Sequence, residues 1–274
     1  MVLFSMFLLR KINKKATHSF FRWLKVKPRI IAGLILVALL ILSGCSAQQE
    51  TSTTQKEQTQ KEEFTLTTTD GVILHGTKFS PENTPQKSVL LLHMLGRSKE
   101  DWEPIVPLLI QNGYEVFTVD LRGMGESTTR NGKKYTFKEF SPLDYQKMRE
   151  DMLLIASTID KDQFDIIGAS IGANLALDYA ASAEGNMRVR KMILMSPGEN
   201  YRGIETVSKA KNVKAETFIL ASEEDSYAAD SSRNLAERIS QSSLQVYSGL
   251  GHGTNMLSDE SARQQIIDFL MKNP

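Results

Sequence analysis

The chain has 274 residues, 41% hydrophobic, 24% charged and 8% aromatic, which supplies one large apolar core and excludes disordered, collagen-like and disulfide-scaffold classes. The formal net charge of +1 hides an asymmetry: residues 1–44 hold eight basic and no acidic residues, leaving 25 basic against 32 acidic residues, a net of −7, for the rest. A domain that acidic offers no basic footprint, so nucleic acid is not an expected partner.

The eight leader cations run from Arg10 to Arg29, and an apolar run from Ile30 to Leu42 follows. That run is short for a bilayer span, which takes about 20 residues. It ends in Leu42-Ser43-Gly44-Cys45, which resembles a bacterial lipobox, where a cysteine after small residues is lipidated and becomes the new N-terminus. Cys45 is the only cysteine, so it has no intramolecular disulfide partner, and anchoring explains it better than redox chemistry. The alternative is an uncleaved signal anchor. Residues 1–44 are thus expected to be a lipoprotein signal peptide, with a start at Met6 or later. Residues 45–63, rich in Gln, Thr, Glu and Lys, read as a disordered tether, and residues 64–274 as one domain.

Within that domain Asp70-Gly71 separates Phe64-Thr65-Leu66 from Val72-Ile73-Leu74 and predicts an antiparallel hairpin. Ser88 to Leu92 reads as a buried strand, followed by the loop His93 to Ser98 and a helix pattern with Trp102 and Leu108. Val116 to Val119 leads into Asp120-Leu121-Arg122-Gly123-Met124-Gly125-Glu126-Ser127. Thr128 to Leu143 is the longest non-periodic stretch. It reads as a partial lid contributing Tyr135, Phe137 and Phe140, or equally as a plain connection.

Phe164 to Ile167 is a further apolar strand, and Ala173 to Leu177 an alanine-rich helix. Between them lies Gly168-Ala169-Ser170-Ile171-Gly172. A serine on a sharp strand-to-helix turn takes strained backbone geometry that projects its hydroxyl above the sheet, and flanking glycines let strand and helix approach. Ser170 is therefore the candidate nucleophile. The pentapeptide alone also occurs in turns without chemistry, so its partners matter. Of the four histidines only His252 follows Ser170, in a glycine-rich loop after Leu244 to Tyr247, and it is the candidate base. Glu216 to Ala221 reads as the preceding strand, with Glu223, Glu224 and Asp225 beyond it. Asp225 is the expected acid, with Glu224, Glu223 and, less so, Asp230 as competitors.

Taken together, these four ordered motifs resemble the α/β-hydrolase superfamily, from Phe64 to the C-terminus. The resemblance implies a mostly parallel sheet with an antiparallel start, helices on both faces, and Ser170, Asp225 and His252 as a catalytic triad. It implies an oxyanion hole from the backbone N–H groups of Leu95 and Ile171, with Met94 as the register alternative, and a structural role for His93. Met94 stands where the family commonly has glycine, and Met124 where it often has histidine; Met124 is expected to affect loop packing only. About 20 residues separate the strand Lys191 to Met195 from the next, so a cap is expected to be minimal or absent.

Met94, Tyr201 and Arg202 are the candidate substrate contacts, the last two facing a polar or anionic group, although Arg202 is first expected to pair with Glu199 or another loop carboxylate. The chemistry so read is hydrolysis of a small-molecule carboxylic ester, with no metal or organic cofactor. Thioesterase, small peptidase and acyltransferase activity, or a non-catalytic surface binding protein, are the alternatives. The implied place is the bacterial cell envelope, lipid-anchored through Cys45. The sequence does not set the oligomeric state.

Overall fold

The computed structural model describes residues 59–272, so the leader, Cys45 and most of the tether lie outside the described residues. Among these no helix is long and apolar enough to cross a membrane. The chain opens with β1 (Gln60–Thr67) and β2 (Val72–Ser80), paired antiparallel across the Asp70-Gly71 turn, where Gly71 takes φ 82°. The expected tether boundary at residue 63 is therefore corrected: Gln60 to Glu63 pair with Ser80 to Thr77. Their polar side chains are exposed, because an edge strand is held by its backbone ladder and tolerates charge on both faces.

Two parallel strands follow, β3 (Lys87–Leu92) and β4 (Tyr114–Val119), then a small edge hairpin of β5 (Thr129–Arg130) and β6 (Lys133–Lys134). Next come β7 (Phe164–Ala169) and β8 (Val189–Met195), a separate hairpin of β9 (Asn200–Tyr201) and β10 (Ile204–Glu205), and finally β11 (Glu216–Ser222) and β12 (Ser242–Tyr247). The main sheet has ten strands in the order β12-β11-β8-β7-β3-β4-β2-β5-β6, with β1 on β2. From β4 to β12 the pairing is parallel.

The helices are α1 (Val106–Gln111), α2 (Pro142–Ala156), α3 (Ile171–Ala180), α4 (Gly185–Arg188), α5 (Val207–Ala210), α6 (Ser226–Arg238) and α7 (Glu260–Met271). The expected helix around Trp102 and Leu108 is broken into a 3-10 turn (Lys99–Trp102) and α1, since Pro104 and Pro107 remove amide donors there. Both sheet faces are buried, which explains the unbroken apolar strands. Leu90, Leu92, Ile166 and Leu194 meet Met148, Met152, Leu175 and Leu235 of α2, α3 and α6. Their neighbours Val89, Leu91, Ile167 and Ile193 face Trp102 and residues of α1 and α7, such as Leu109 and Ile266.

One buried ionic cluster ties the loop after β4 to this frame. The Arg122 guanidinium donates to both Asp151 oxygens at 2.5 and 2.6 Å and to the Asp70 carboxylate at 3.2 Å. Lys147 and Arg130 also reach Asp70, each at 3.0 Å. Between β8 and β11 lie only the β9–β10 hairpin and the single turn α5, so the cap is minimal. The Thr128–Leu143 stretch becomes the β5–β6 hairpin and a 3-10 turn (Phe137–Glu139) leading into α2. Tyr135 is not a lid contact: it is buried and donates to Asp144 at 2.7 Å.

Candidate active site

The site forms where the sheet changes direction of growth. β4 is laid on one side of β3 and β7 on the other, so the carboxyl ends of β3 and β7 open a crevice between them. Leu92 pairs with Gly168 across these strands, which brings the loop after β3 beside the turn after β7. At that turn Ser170 adopts φ 54° and ψ −118°, a region uncommon for a non-glycine residue. Its N–H is tied to the Met195 carbonyl at 2.8 Å. A Cβ on Gly172 would stand 2.3 Å from the Leu92 carbonyl, and one on Gly168 would stand 2.3 Å from that of Gly172. Only glycine lets α3 start this close to β3 and β7.

Ile171 is the first residue of α3, so its N–H has no intrahelical acceptor and lies at the positive end of the helix. The loop after β3 is held by His93, which is fully buried. Its Nε2 accepts from the Leu121 N–H at 2.9 Å, and Nδ1, left as the protonated nitrogen, donates to the Met94 carbonyl at 2.8 Å. Burial holds the His93 ring well below the ordinary histidine range, in keeping with a neutral ring in this role. In a trans peptide the N–H points opposite the carbonyl, so drawing Met94 C=O to one side turns the Leu95 N–H to the other. The Leu95 N–H has no hydrogen-bond partner among the described residues. Met124 does more than fill space here: its Sδ accepts the Gly96 N–H at 3.1 Å.

His252 lies in the loop after β12, between Gly251 and Gly253, which take φ 72° and 57°. The loop is pinned from below. Gly253 N–H donates to Ser196 Oγ at 2.9 Å, Leu250 N–H to Ser222 Oγ at 3.1 Å, and Gly249 N–H to Glu224 at 2.6 Å. The His252 Nδ1 is hydrogen-bonded to Asp225 Oδ2. Asp225 precedes α6 directly, three residues past the end of β11. Its competitors are placed otherwise. Glu224 accepts from Ser222 Oγ at 2.6 Å and Ser248 Oγ at 3.2 Å, and the Ser222 hydrogen bond, with help from backbone donors, draws its carboxyl down to about 2. Asp230 pairs with Arg233 on the surface, and the Glu223 N–H extends the strand pairing to Tyr247.

Ser170, His252, Met94, Leu95, Ile171, Tyr201 and Arg202 line one cavity of about 290 Å³. Tyr201 lines this cavity beside Ser170 and donates to the Ser196 carbonyl at 3.3 Å. Its ring lies edge-on to His252 and Tyr227, at 6.3 and 5.6 Å. Burial, reinforced by the Asp225 charge, pushes the Tyr201 phenol well up, so it remains a donor. Arg202 does not pair with Glu199, as the sequence suggested: Glu199 accepts from Asn234, while the Arg202 guanidinium stacks over Tyr145 at 5.8 Å. The β9–β10 turn carries it away from Glu199. The supporting roles of Ser196, Ser222, Glu224 and Tyr227 carry no sequence signal, because each depends on elements distant in the chain.

A family profile described as the alpha/beta hydrolase fold matches residues 87–218. Among curated proteins the chain is 28% identical over 109 residues to a protein described as a non-heme chloroperoxidase in Synechocystis sp., covering 40% of this chain and 36% of that one. It is 29% identical over 111 residues to epoxide hydrolase B of Mycobacterium tuberculosis, covering 40% and 29% respectively. The chain thus spans about a third of the length of these relatives. Among solved structures, an esterase from Pyrococcus furiosus superposes with a TM-score of 0.63 at 19% identity, over 77% of this chain and 92% of that one. An esterase from Exiguobacterium antarcticum gives 0.62 at 16%, over 76% and 99%. Sheet order, profile and superpositions agree: the chain has the α/β-hydrolase fold.

Proposed function

We propose that the chain is a serine hydrolase of carboxylic esters, working through an acyl-enzyme on Ser170. The observation that carries this reading is the His252–Asp225 hydrogen bond, with His252 lining the same cavity as Ser170, Leu95 and Ile171. Asp225 accepts the Nδ1 proton, which leaves Nε2 as the basic nitrogen. His252 takes the Ser170 proton as the oxygen attacks the ester carbonyl, and the developing oxyanion is met by the Leu95 and Ile171 N–H groups. The protonated ring then gives its proton to the departing alcohol. A water molecule, deprotonated by the same nitrogen, releases the acid and restores Ser170.

Fluorophosphonate labelling of the full chain tests this, beside Ser170→Ala and His252→Ala variants. Labelling of the wild type that disappears in both variants is the expected result. A folded wild type that does not label would instead favour a binding protein built on this fold. The same reading places the enzyme on a membrane through lipidated Cys45, supported by the apolar run before that residue and the polar stretch after it.

A further inference from the structure

Next to the nucleophile's cavity lies a larger groove of about 810 Å³. Leu95 and Arg202 line both, so the groove continues directly from the reacting centre. Its walls are Phe137, Phe140, Leu143 and Tyr145, with Lys138 and Arg202 among its lining residues and no acidic side chain. Leu143 is 63% exposed there, an apolar side chain left open to solvent beside a site.

The two cations differ from those of the buried ionic cluster behind the groove. Arg122, Arg130 and Lys147 are all paired with Asp70, Asp151 or Asp144. Lys138 and Arg202 form no ion pair among the described residues, on a domain whose residues beyond the leader sum to −7. Arg202 is also held at a cost. It sits at φ 56° in the β9–β10 turn, a conformation that glycine or asparagine takes with less strain. The turn is fixed by Gln146 donating to the Gly203 carbonyl at 3.0 Å and by Gly203 N–H donating to Asn200 Oδ1 at 2.8 Å. A guanidinium without an ion pair, carried on a strained and anchored turn at the junction of two cavities, is a feature that binding explains better than stability does.

We infer that the ester turned over at Ser170 is an anionic amphiphile, with its chain on the Phe137–Tyr145 groove and a carboxylate or phosphate at Arg202 and Lys138. This rests on the hydrolytic reading above for the turnover, but not for the binding. Guanidinium suits either oxyanion through paired N–H donors, and the apolar walls supply the burial a chain requires.

The test is calorimetric titration of the full chain carrying Ser170→Ala with octanoate, octyl phosphate and 1-octanol. The better-bound anion is expected to exceed octanol by about tenfold in affinity, the scale of two partly exposed ion pairs. Which anion leads identifies the head group. Adding Arg202→Gln with Lys138→Gln is expected to bring anion and alcohol within about twofold, whereas Arg202→Lys alone keeps most of the preference; circular dichroism checks that each variant is folded. Equal binding of all three ligands, binding of none, or a preference that survives the double substitution overturns the inference. Turnover is measured separately on the wild type, with p-nitrophenyl octanoate and its ω-carboxylated counterpart. Anion-selective binding without hydrolysis of either ester sinks the acyl-enzyme reading and leaves the anion subsite standing.

Discussion

At Ser170 the chain holds a side chain in a backbone conformation that only a rigid surround maintains, and the two flanking glycines show how little room that surround leaves. Gly172→Ala would drive a methyl group into the Leu92 carbonyl. It is expected to lower stability by roughly 1–3 kcal/mol, as overpacking does, and to reduce kcat/KM by moving the Leu95 amide; denaturant unfolding and ester kinetics read the two effects. Asp225→Asn keeps the shape but removes the charge and brings in an amide donor that can face Nδ1, which favours the wrong His252 tautomer, and a fall in kcat of roughly 10³ to 10⁴-fold is expected. Glu224 is different in kind, since it touches the histidine loop and not the ring. Glu224→Gln should therefore lower kcat modestly. Because its carboxyl is held down to about 2, it stays charged throughout the weakly acidic range, and the acid limb of the pH–rate profile should keep its midpoint in the variant. A displaced midpoint would show that Glu224 titrates with catalysis. The sequence left Asp225 and Glu224 as rivals because both lie on the same short loop; one residue's difference in position along the turn into α6 separates a ring contact from a loop anchor.

Among the elements, strand β7, its turn and helix α3 were readable in the sequence, since both the apolar run and the glycine spacing are local. The start of β1 was not, because Gln60 to Glu63 have no apolar pattern and gain their structure from β2. The loop after β4 is secured by charge. Arg122 and Asp151 are 1% and 5% exposed at the side chain, so Asp151→Asn leaves a buried cation short of its partner. A loss of about 3 kcal/mol is expected, measurable by chemical denaturation. Asp70 feeds the same cluster: burial works against its charge, but the Arg122, Thr68 and Lys147 hydrogen bonds outweigh it and hold its carboxyl well below the usual 3.8. A carboxylate lowered on folding stabilises fully above its unfolded value and loses that contribution as pH falls below it. The wild type should accordingly lose stability below about pH 4 more steeply than Asp70→Asn, which unfolding measured between pH 6 and 3 will show.

For the whole molecule, the charge division between leader and domain leads to a prediction about place. Cys45→Ser should remove lipidation and move the protein from the membrane to the soluble fraction; a variant that stays membrane-bound and uncleaved would show that the apolar run itself is the anchor. The sequence by itself determined the fold class, the strand-to-helix turn that carries Ser170 and the single histidine that follows it, because periodicity, glycine placement and chain order are properties of the string. Only the tertiary structure decided which carboxylate meets His252, that Met124 and His93 brace the loop carrying the Leu95 amide, and that Arg202 turns from Glu199 towards Tyr145 and the groove. Each of these depends on the direction a side chain takes from elements far apart in the chain, and that direction exists only once the parallel sheet has brought their ends together.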